Sequence, residues 1–445
     1  MYQHRYFPHT TDDVEKMLER IGATLVNELF NDIPEHLRLK NGTYNLPEEH
    51  SEIEVREYFS RLRANNKPLV CFAGAGFYDH YSPAVVASIA SRSELLTAYT
   101  PYQPEISQGT LQYIFEYQSM IAELTGLDIA NASLYDGATA TAEAMLMCVA
   151  AARKKNRVLI SATVAPNVRN VVETYARYHK IRLDIIQEKD GVTDVNALKS
   201  MLESGDVAGV IASSVNFYGI LEDFTGWSEL IKAQKALFVI NTHASALGVV
   251  KTPAEWGADI AVGEAQSLGF PLNYGGPGLG YMCVTKALMR KMPGRIVGAT
   301  TDEKGQRVFV LTLQAREQHI RREKATSNIC SNQGIMTLYA SIYLALLGAE
   351  GLREVNVQSN AAAVYALGQI EQRSSAKLAF PGKPFLNEFV VITPNVDKII
   401  ERGAEQGILP GVKIGEDRLM IAFTEMRTKE QIDQLVQLIK SAENE

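Results

Sequence analysis

The sequence predicts an α/β protein with a large doubly wound domain and a smaller C-terminal α+β domain. Short apolar strands alternate with helices from residue 157 to about 285, a pattern typical of a parallel sheet covered on both faces. A second set of helix and strand patterns fills residues 350–445. The chain has 445 residues, more than one hydrophobic core usually holds. We therefore expect a helical arm over residues 1–65, a large domain over 66–325 and a small domain over 326–445.

The composition is that of an ordinary globular protein with a modest negative charge. A formal net charge of -7 and a pI near 5.8 disfavour a nucleic-acid-binding surface as the main function. The four cysteines form no CxxC pair, and three lie in apolar runs, which favours buried free thiols and a cytoplasmic location. The first ten residues lack the apolar core of a secretory signal, and no run of 18 apolar residues predicts a membrane span.

The first 65 residues predict an amphipathic helical arm. Thr10 and the acids after it are typical of a helix start, and Met17, Leu18 and Ile21 repeat at helical spacing. A second helix is predicted over residues 51–65. An arm of this length needs a surface to cover, which favours contact with another subunit over packing on its own body.

The first strand is predicted over residues 68–72, and Ala73-Gly74-Ala75-Gly76 ends it. A strand followed by Gly-x-Gly resembles a dinucleotide-binding turn, but Tyr78-Asp79-His80 stands where a third glycine and a helix start are required. We therefore disfavour nucleotide binding there. Metalloprotease, P-loop, nucleophile-elbow and kinase motifs are also missing from the sequence, and the eight histidines show no metal-ligand spacing.

An irregular stretch at residues 97–109 reads TAYTPYQPEISQG. Its two prolines fix the backbone and push the preceding residues toward extended geometry, so we expect a stiff loop that presents polar side chains. Binding groups concentrate on such loops, although a purely structural connector would also account for the pattern. The candidates for a binding surface are Tyr99, Thr100, Pro101, Tyr102, Gln103, Glu105, Ser107 and Gln108.

Two helices follow this loop, over residues 110–124 and 142–152. The second is preceded by small residues and hydroxyls, NASLYDGATAT at residues 131–141. Such a helix N-terminus can form a phosphate-sized anion site, because free amides and the helix dipole point there. Asp136 as an ordinary N-cap explains much of the same pattern without a ligand.

The alternating region supplies the predicted sheet. Its strands are predicted at residues 158–160, 183–186, 207–212, 237–240, 259–262 and 281–284, and its helices at 165–179, 195–203 and 227–235. The turn after residue 262 is polar, and the glycine run GGPGLG at 275–280 leads back into the next strand. Active sites in such sheets lie outside the carboxyl ends of the strands, which makes this turn a candidate site.

Residues 314–332, reading QAREQHIRREKATSNICSN, are dense in charge. Composition alone leaves two interpretations open: a solvated helix, or arginine forks that bind carboxylates or a partner. The candidates here are His319, Arg321, Arg322, Glu323 and Lys324. An apolar helix is predicted next, over residues 334–348.

The C-terminal unit is predicted from its own alternation of elements. Helices are expected at residues 356–373, 396–406 and 429–441, and strands at 387–392 and 419–423. Turn residues near 382 and 411 separate them.

Three of these stretches together, at residues 99–109, 131–140 and 314–332, are similar to glycine decarboxylase, the P-protein of the glycine cleavage system. The resemblance covers nearly the whole chain. It implies the pyridoxal-phosphate-dependent transferase fold of the aspartate-aminotransferase type (type I). Family members occur as one long chain with two homologous halves or as two separate subunits, and the present length resembles subunit 1, the equivalent of the N-terminal half.

The resemblance also implies that this chain carries no catalytic residue of its own. In the fold, the turn after the strand at 259–262 holds the lysine that binds the cofactor, and Ser267 stands at that position. A serine cannot form an imine. The aspartate expected beside the pyridine nitrogen, on the strand that ends at residue 240, is absent, and Asn241, Thr242 and His243 occupy that strand end. Pyridoxal phosphate would therefore be held by the partner subunit and not by this chain.

The implied activity is that of a glycine dehydrogenase (aminomethyl-transferring, decarboxylating). The enzyme decarboxylates glycine and transfers the aminomethyl group to the lipoyl arm of H-protein. The implied partners are a homologous second subunit, with two copies of each, lipoylated H-protein and glycine, with no nucleic acid and no membrane. This chain would complete a site shared with the second subunit.

Two rival interpretations stay open at this point. The chain could be a freestanding pyridoxal-phosphate enzyme that uses another lysine, for which Lys251 and Lys286 are the nearest to Ser267. It could also be a non-catalytic scaffold with no residue near the partner's site.

Overall fold

The computed structural model describes residues 6–39, 44–96, 99–152, 154–273 and 275–443. The chain forms two compact units, Met1–Lys67 and Pro68–Glu445. Thr97 and Ala98, the first two residues of the predicted loop, lie outside the described residues.

The first unit contains the two helices that the sequence predicts, α1 (Thr11–Ile21) and α2 (Glu52–Ala64). Each begins with a capping box, in which the N-cap hydroxyl and an acid three residues later satisfy each other's backbone amides. Short 3₁₀ turns lie between them at Val26–Phe30 and Glu35–Leu37. Among the described residues of this unit only Leu18 is buried, so most of its apolar side chains remain exposed.

The first elements of the second unit belong to the large sheet, to smaller strand pairs and to the helices around them. In chain order they are β1 (Val70–Cys71), α3 (Ala84–Ala90), α4 (Gln108–Thr125), β2 (Ile129–Ala130), α5 (Gly137–Ala152), β3 (Arg157–Ser161), α6 (Pro166–His179), β4 (Arg182–Ile186), β5 (Glu188–Lys189), β6 (Val192–Thr193), α7 (Val195–Leu202), β7 (Val207–Ser213), α8 (Trp227–Ala233), β8 (Leu237–Asn241), β9 (Ile260–Glu264) and β10 (Gly280–Val284). The remaining elements are β11 (Ile296–Thr301), β12 (Arg307–Thr312), α9 (Gln318–Arg321), α10 (Gly334–Arg373), β13 (Lys377–Leu378), β14 (Glu388–Ile392), α11 (Val396–Glu405), β15 (Ile408–Leu409), β16 (Val412–Lys413), β17 (Arg418–Ala422) and α12 (Lys429–Ser441).

Seven strands form the central sheet, in the order β2-β10-β9-β8-β7-β3-β4. The five strands from β9 to β4 run parallel, as predicted. Strand β10, which the sequence placed in the same parallel set, pairs antiparallel with both β9 and β2. A parallel return needs a crossover of a dozen or more residues, usually a helix, and the described residues between β9 and β10 form none.

The sheet is covered on both faces because its strands alternate side chains between two cores. Val158 and Ile160 of β3 pack with Met145 of α5 and Val172 of α6 on one face. On the other face, Leu159 packs in a cluster with residues of α7 and α8. This period of two residues identifies a strand buried on both sides.

The first strand of the second unit belongs to the C-terminal layer. Val70 of β1 pairs in parallel with Ile408 of β15, and Phe72 lies in the C-terminal core beside Phe389 and Phe423. The sequence assigned residues 68–72 to the large domain, because nothing in the local pattern shows a pairing with a strand so far along the chain. The C-terminal sheet itself has the order β13-β14-β17-β16.

Helix α10 joins the predicted helices 334–348 and 356–373 into one kinked element. Gly348 has φ 62° and ψ -172°, a conformation that glycine adopts at little cost. Before the kink, Ala340 and Tyr343 pack against the large sheet. After it, Ala363 and other residues enter the C-terminal core. By length and composition α10 could cross a membrane, but its packing in both cores accounts for its apolar sequence.

Candidate functional site

A cavity of about 120 Å³ lies at the carboxyl ends of β7, β8 and β9, facing the N-terminus of α5. This is the edge of the sheet at which the sequence predicts a site. Its polar lining comes from Tyr78, Asp136, Asn167, Ser213, Asn216, Asn241, Thr242, His243, Glu264 and Glu388.

The amides that start α5 are bound by the chain's own carboxylates. Glu264, the last residue of β9, accepts a hydrogen bond from the Gly137 amide through Oε2 at 2.9 Å. Its Oε1 accepts from the Leu279 amide at 2.7 Å and from the Gln266 amide at 3.0 Å. Asp136 Oδ1 accepts from the Thr139 amide at 2.7 Å. The N-cap interpretation of Asp136 is therefore confirmed, and burial raises the pKa of Glu264 despite its three amide donors.

Asn241 and Ser267 occupy the positions expected for cofactor-binding groups but are engaged elsewhere. Asn241 Nδ2 donates to Thr141 Oγ1 at 2.8 Å, and its Oδ1 accepts from Ser213 Oγ at 3.3 Å. Ser267 is buried in the turn after β9, where its Oγ accepts from the Ser245 amide at 3.3 Å. Both side chains are thus tied into the protein scaffold.

Glu388 is a cavity residue that the sequence did not reveal. It begins β14 in the C-terminal layer and accepts hydrogen bonds from the Ala75 amide at 2.7 Å and the Tyr78 hydroxyl at 3.1 Å. Burial raises its pKa to about 7. A Cβ atom at Gly74 would collide with the Glu388 carboxylate. Glycine is therefore required at position 74, the first glycine of the Gly-x-Gly pattern, so that the backbone can approach Glu388.

His243 completes the aromatic side of the cavity. Its ring centre lies 4.7 Å from that of Tyr78. Burial, together with the nearby His80, lowers its pKa to about 3, so the imidazole is neutral at physiological pH.

The cavity residues do not fit pyridoxal phosphate. The described lining holds no lysine that could form an imine, and the side chain at the end of β8 is the neutral Asn241. The helix start that would receive the phosphate is already bonded to Glu264 and Asp136. Lys251, which lies 3.9 Å from the Trp256 ring centre, and the exposed Lys286 do not line the cavity.

The predicted loop forms a second, exposed surface. Gln108 fixes the end of the loop that leads into α4. Its Nε2 donates to the Pro104 carbonyl at 2.8 Å and to the Phe309 carbonyl at 2.9 Å. Its Oε1 accepts from the Phe309 amide at 2.9 Å. Pro101 and Ser107 are buried, and Thr100 is half-buried. Tyr99 is 87% exposed, and the exposed set also includes Tyr102, Gln103 and Glu105.

Arg295 is a residue on which the three motifs converge, and its role was not predicted from the sequence. Its side chain is 3% exposed and donates to the Cys330 carbonyl at 2.6 Å and the Tyr102 hydroxyl at 3.4 Å. Its own carbonyl accepts from the Ala132 amide at 2.8 Å. Glu317 Oε2 lies 3.9 Å from Arg295 Nε. An arginine between a proline-glycine turn and a strand carries no local sequence pattern that marks this role.

The charge-dense segment is not one solvated helix. It breaks into a 3₁₀ turn, the four-residue α9 and a second 3₁₀ turn, since the extended backbone of Glu317 and the positive φ of Arg322 interrupt a helix. Arg316 is partly buried and donates to the Leu313, Met292 and Gly294 carbonyls. His319 lies with its ring centre 5.9 Å from that of Tyr102. The other candidates of this segment are all exposed, namely Arg321, Arg322, Glu323 and Lys324.

Comparison with known proteins gives a consistent result over the full length. Residues 4–439 match the family model described as glycine cleavage system P-protein. Two curated relatives are described as probable glycine dehydrogenase (decarboxylating) subunit 1. The one from Bacillus cytotoxicus is 48% identical over 97% of this chain and 98% of its own, and the one from Carboxydothermus hydrogenoformans is 49% identical over 98% and 99%.

Solved structures agree with the sequence comparisons. A crystal structure of glycine decarboxylase (P-protein) of the glycine cleavage system, in inhibitor-bound form, superposes with a TM-score of 0.89 at 40% identity, covering 99% of this chain and all of that chain. Glutamate decarboxylase from Lactobacillus brevis superposes with a TM-score of 0.68 at 14% identity over 94% of this chain and 98% of its own, which indicates the fold alone. The predicted pyridoxal-phosphate-dependent type I fold is confirmed.

Proposed function

The chain belongs to the glycine cleavage system P-protein family, and from that premise we propose that it is the subunit that completes an active site carried by a second, homologous subunit. The observation that supports this proposal is the cavity of the chain itself, in which the groups that would bind the cofactor are replaced or already bonded. The partner then holds pyridoxal phosphate, whose ring supplies the electron sink for decarboxylation of glycine.

The contribution of this chain is a preorganised surface. Gln108 fixes the base of the loop, and Arg295 fixes its middle through Tyr102. The exposed tip, from Tyr99 to Glu105, is therefore held in one arrangement before the partner arrives. A positioned polar group at the edge of a shared site orients substrate and excludes water, and orientation alone can contribute on the order of 10² in rate.

The arm supplies a surface for assembly. Helix α2 leaves Val55, Phe59 and Leu62 exposed. Their spacing places them on one face of the helix, and an exposed apolar face of this kind is typical of protein interfaces. We place the homologous subunit there, with two copies of each chain in the complex. Lipoylated H-protein then receives the aminomethyl group, and the four free cysteines are consistent with a cytoplasmic location.

Glu105→Gln tests the proposed role of the loop. The carboxylate is exposed in this chain, so its burial becomes costly only when a partner covers it. The variant keeps the shape and removes the charge. We expect unchanged assembly with the partner and turnover reduced at least about tenfold, equivalent to roughly 1.4 kcal/mol in the barrier.

Glu123→Gln is the matched control, since Glu123 is an exposed glutamate at the far end of α4 and should leave turnover unchanged. Equal turnover of wild type and Glu105→Gln in an assembled complex would favour the scaffold interpretation. The freestanding-enzyme alternative is tested on the chain alone. Borohydride treatment followed by peptide mapping should give no phosphopyridoxyl adduct on any of its lysines. If the chain exchanges the glycine carboxyl group when H-protein is present and the partner subunit is absent, the proposal is overturned.

A further inference from the structure

We infer that Glu264 is a built-in substitute for a ligand's phosphate group and that it excludes phosphate-bearing ligands from the cavity of this chain. The inference rests on the proposed function only in treating the cavity as the counterpart of the partner's cofactor site. The resemblance to pyridoxal-phosphate enzymes of this fold implies that the phosphate of the cofactor would be received at the start of the helix that corresponds to α5. Here the Glu264 carboxylate lies there, 2.9 Å from the Gly137 amide nitrogen.

Two of the amide donors that a phosphate would use at the start of α5 are already bonded to side chains. A helix N-terminus binds an anion through amides that have no partner within the helix. The Gly137 amide donates to Glu264 and the Thr139 amide donates to Asp136. The positive end of the helix dipole is therefore neutralised by two side chains of the protein.

Backbone segments also approach Glu264 closely beside the helix start. A Cβ atom added at Gly278 would lie 3.0 Å from Glu264 Oε2, and one added at Gly137 would lie 2.7 Å from the Glu264 backbone nitrogen. Glycines thus close around the carboxylate. Hydrogen bonds from the Leu279 and Gln266 amides hold its other oxygen, so the side chain cannot swing aside to admit a ligand without breaking all three bonds.

The charge of the cavity opposes an anion as well. Asp136, Glu264 and Glu388 all contribute to the lining, which contains no lysine or arginine among the described residues. A phosphate placed here would meet acidic side chains and no cationic one in a poorly solvated site, where an uncompensated charge is costly. The same geometry that satisfies α5 without a ligand therefore confines the cofactor to the partner.

The test measures binding by the full chain without any activity assay. Wild type and Glu264→Ala are titrated with inorganic phosphate and with pyridoxal 5′-phosphate at constant ionic strength, and pyridoxal without phosphate serves as a ligand control. Wild type should show no shift in Tm with phosphate up to about 50 mM. Glu264→Ala frees the Gly137 amide, so it should bind phosphate at least about tenfold more tightly, with Tm rising by about 1–2 °C when phosphate is tenfold above its Kd.

Glu425→Ala is the matched control variant. Glu425 is likewise a poorly exposed carboxylate that accepts a hydrogen bond from a backbone amide, that of Tyr81 at 2.7 Å, but it does not line the cavity. This variant should not respond to phosphate. A folded Glu264→Ala chain that also fails to respond would overturn the inference.

Should Glu264→Ala fail to fold, amide exchange in the wild-type chain decides the question. Exchange at residues 137–139 should be unaffected by phosphate, and slower exchange in its presence would overturn the inference. Decarboxylation of glycine by the wild-type complex is measured separately, so that failure of this inference and failure of the proposed function remain distinguishable.

Discussion

The guanidinium of Arg295 lies 5.4 Å from the ring centre of Tyr102 and donates a hydrogen bond to its hydroxyl at 3.4 Å. The same group donates to the Cys330 carbonyl and to Asn332 Oδ1. One buried cation therefore links an exposed loop near the start of α4 to the segment that precedes α10. The position of the loop therefore depends on Arg295, which is 193 positions after Tyr102 in the sequence.

Replacing Arg295 should disturb both stability and turnover. Arg295→Ala removes a cationic neighbour of the buried Glu317 and the hydrogen bonds to Cys330 and Tyr102. We therefore expect a loss of about 3 kcal/mol in the free energy of unfolding, together with a fall in turnover of the assembled complex of at least about tenfold. Arg295→Lys retains the charge but cannot make the forked contacts of a guanidinium. Its free energy of unfolding should be about 1–2 kcal/mol lower than that of wild type. Urea unfolding and turnover assays measure the two effects.

The control for this prediction is Arg307→Ala. Arg307 is exposed and lies 5.2 Å from the Phe309 ring centre on the neighbouring hairpin, so its removal should change stability by less than about 0.5 kcal/mol. A lysine variant at position 295 that matches wild type in both assays would show that the fork is not needed.

Tyr99→Ala should separate stability from assembly. Because the Tyr99 side chain is 87% exposed, the free energy of unfolding of the isolated chain should change by less than about 0.5 kcal/mol. Loss of an aromatic anchor should weaken binding of the partner by about 1–2 kcal/mol, measured by titration of the two subunits. Tyr178, which is 79% exposed on α6, gives the control variant Tyr178→Ala, and equal partner affinity of the two variants would contradict the prediction.

Glu388 should make stability depend on pH. Burial raises its pKa from the ordinary value near 4.5 to about 7, so the folded chain holds this proton where the unfolded chain has lost it. Its contribution to stability therefore falls as the pH rises from about 4.5 to about 7 and stays low above that range. Glu388→Gln should raise the free energy of unfolding by about 2–3 kcal/mol at pH 8 and change it little near pH 4.5.

Urea titrations at a series of pH values measure this difference between wild type and variant. Glu116→Gln is the control, because Glu116 is exposed. Its free energy of unfolding should stay close to that of wild type at every pH. If Glu388→Gln differs from wild type by the same amount at pH 5 and pH 8, the carboxylate is not the source of the dependence.

Phe59→Asp on α2 should impair assembly without unfolding the chain. The Phe59 side chain is 62% exposed, so a charge there costs the isolated chain less than about 0.5 kcal/mol. Placing that charge in an apolar interface should weaken partner binding at least about tenfold, measured by analytical ultracentrifugation. Glu57→Ala on the same helix is the control, and intact binding by Phe59→Asp would remove the arm from the interface.

The elements with strong periodicity were the ones that the sequence predicted well. Helix α12 spans the predicted residues 429–441, and β7 and β8 each extend only a residue beyond the predicted strands. The hairpin β11–β12 was missed, because its charged and polar residues interrupt an alternating pattern over Ile296–Thr312. Strand direction at β10 was wrong, since a strand's own sequence does not record the direction of its neighbours.

The site was less predictable than the fold for a related reason. Ser267 and Asn241 became candidates only through the resemblance to a family. Glu264 ends a strand and has no sequence pattern around it that predicts its contact with Gly137. The contact between Glu388 and Ala75 spans 313 residues. Periodicity and local spacing describe neighbours within a few turns, so contacts of this span lie beyond them.

The pairing of β1 with β15 places a constraint on synthesis of the chain. Val70 meets Ile408, so the ribosome adds about 340 residues before the partner strand exists, roughly 20 to 70 seconds at ordinary elongation rates. Throughout that interval Phe72 lacks the C-terminal core in which it finally lies. The nascent chain therefore displays an unpaired strand next to a large aromatic side chain, the kind of segment that chaperones bind, and slowed translation should increase its aggregation.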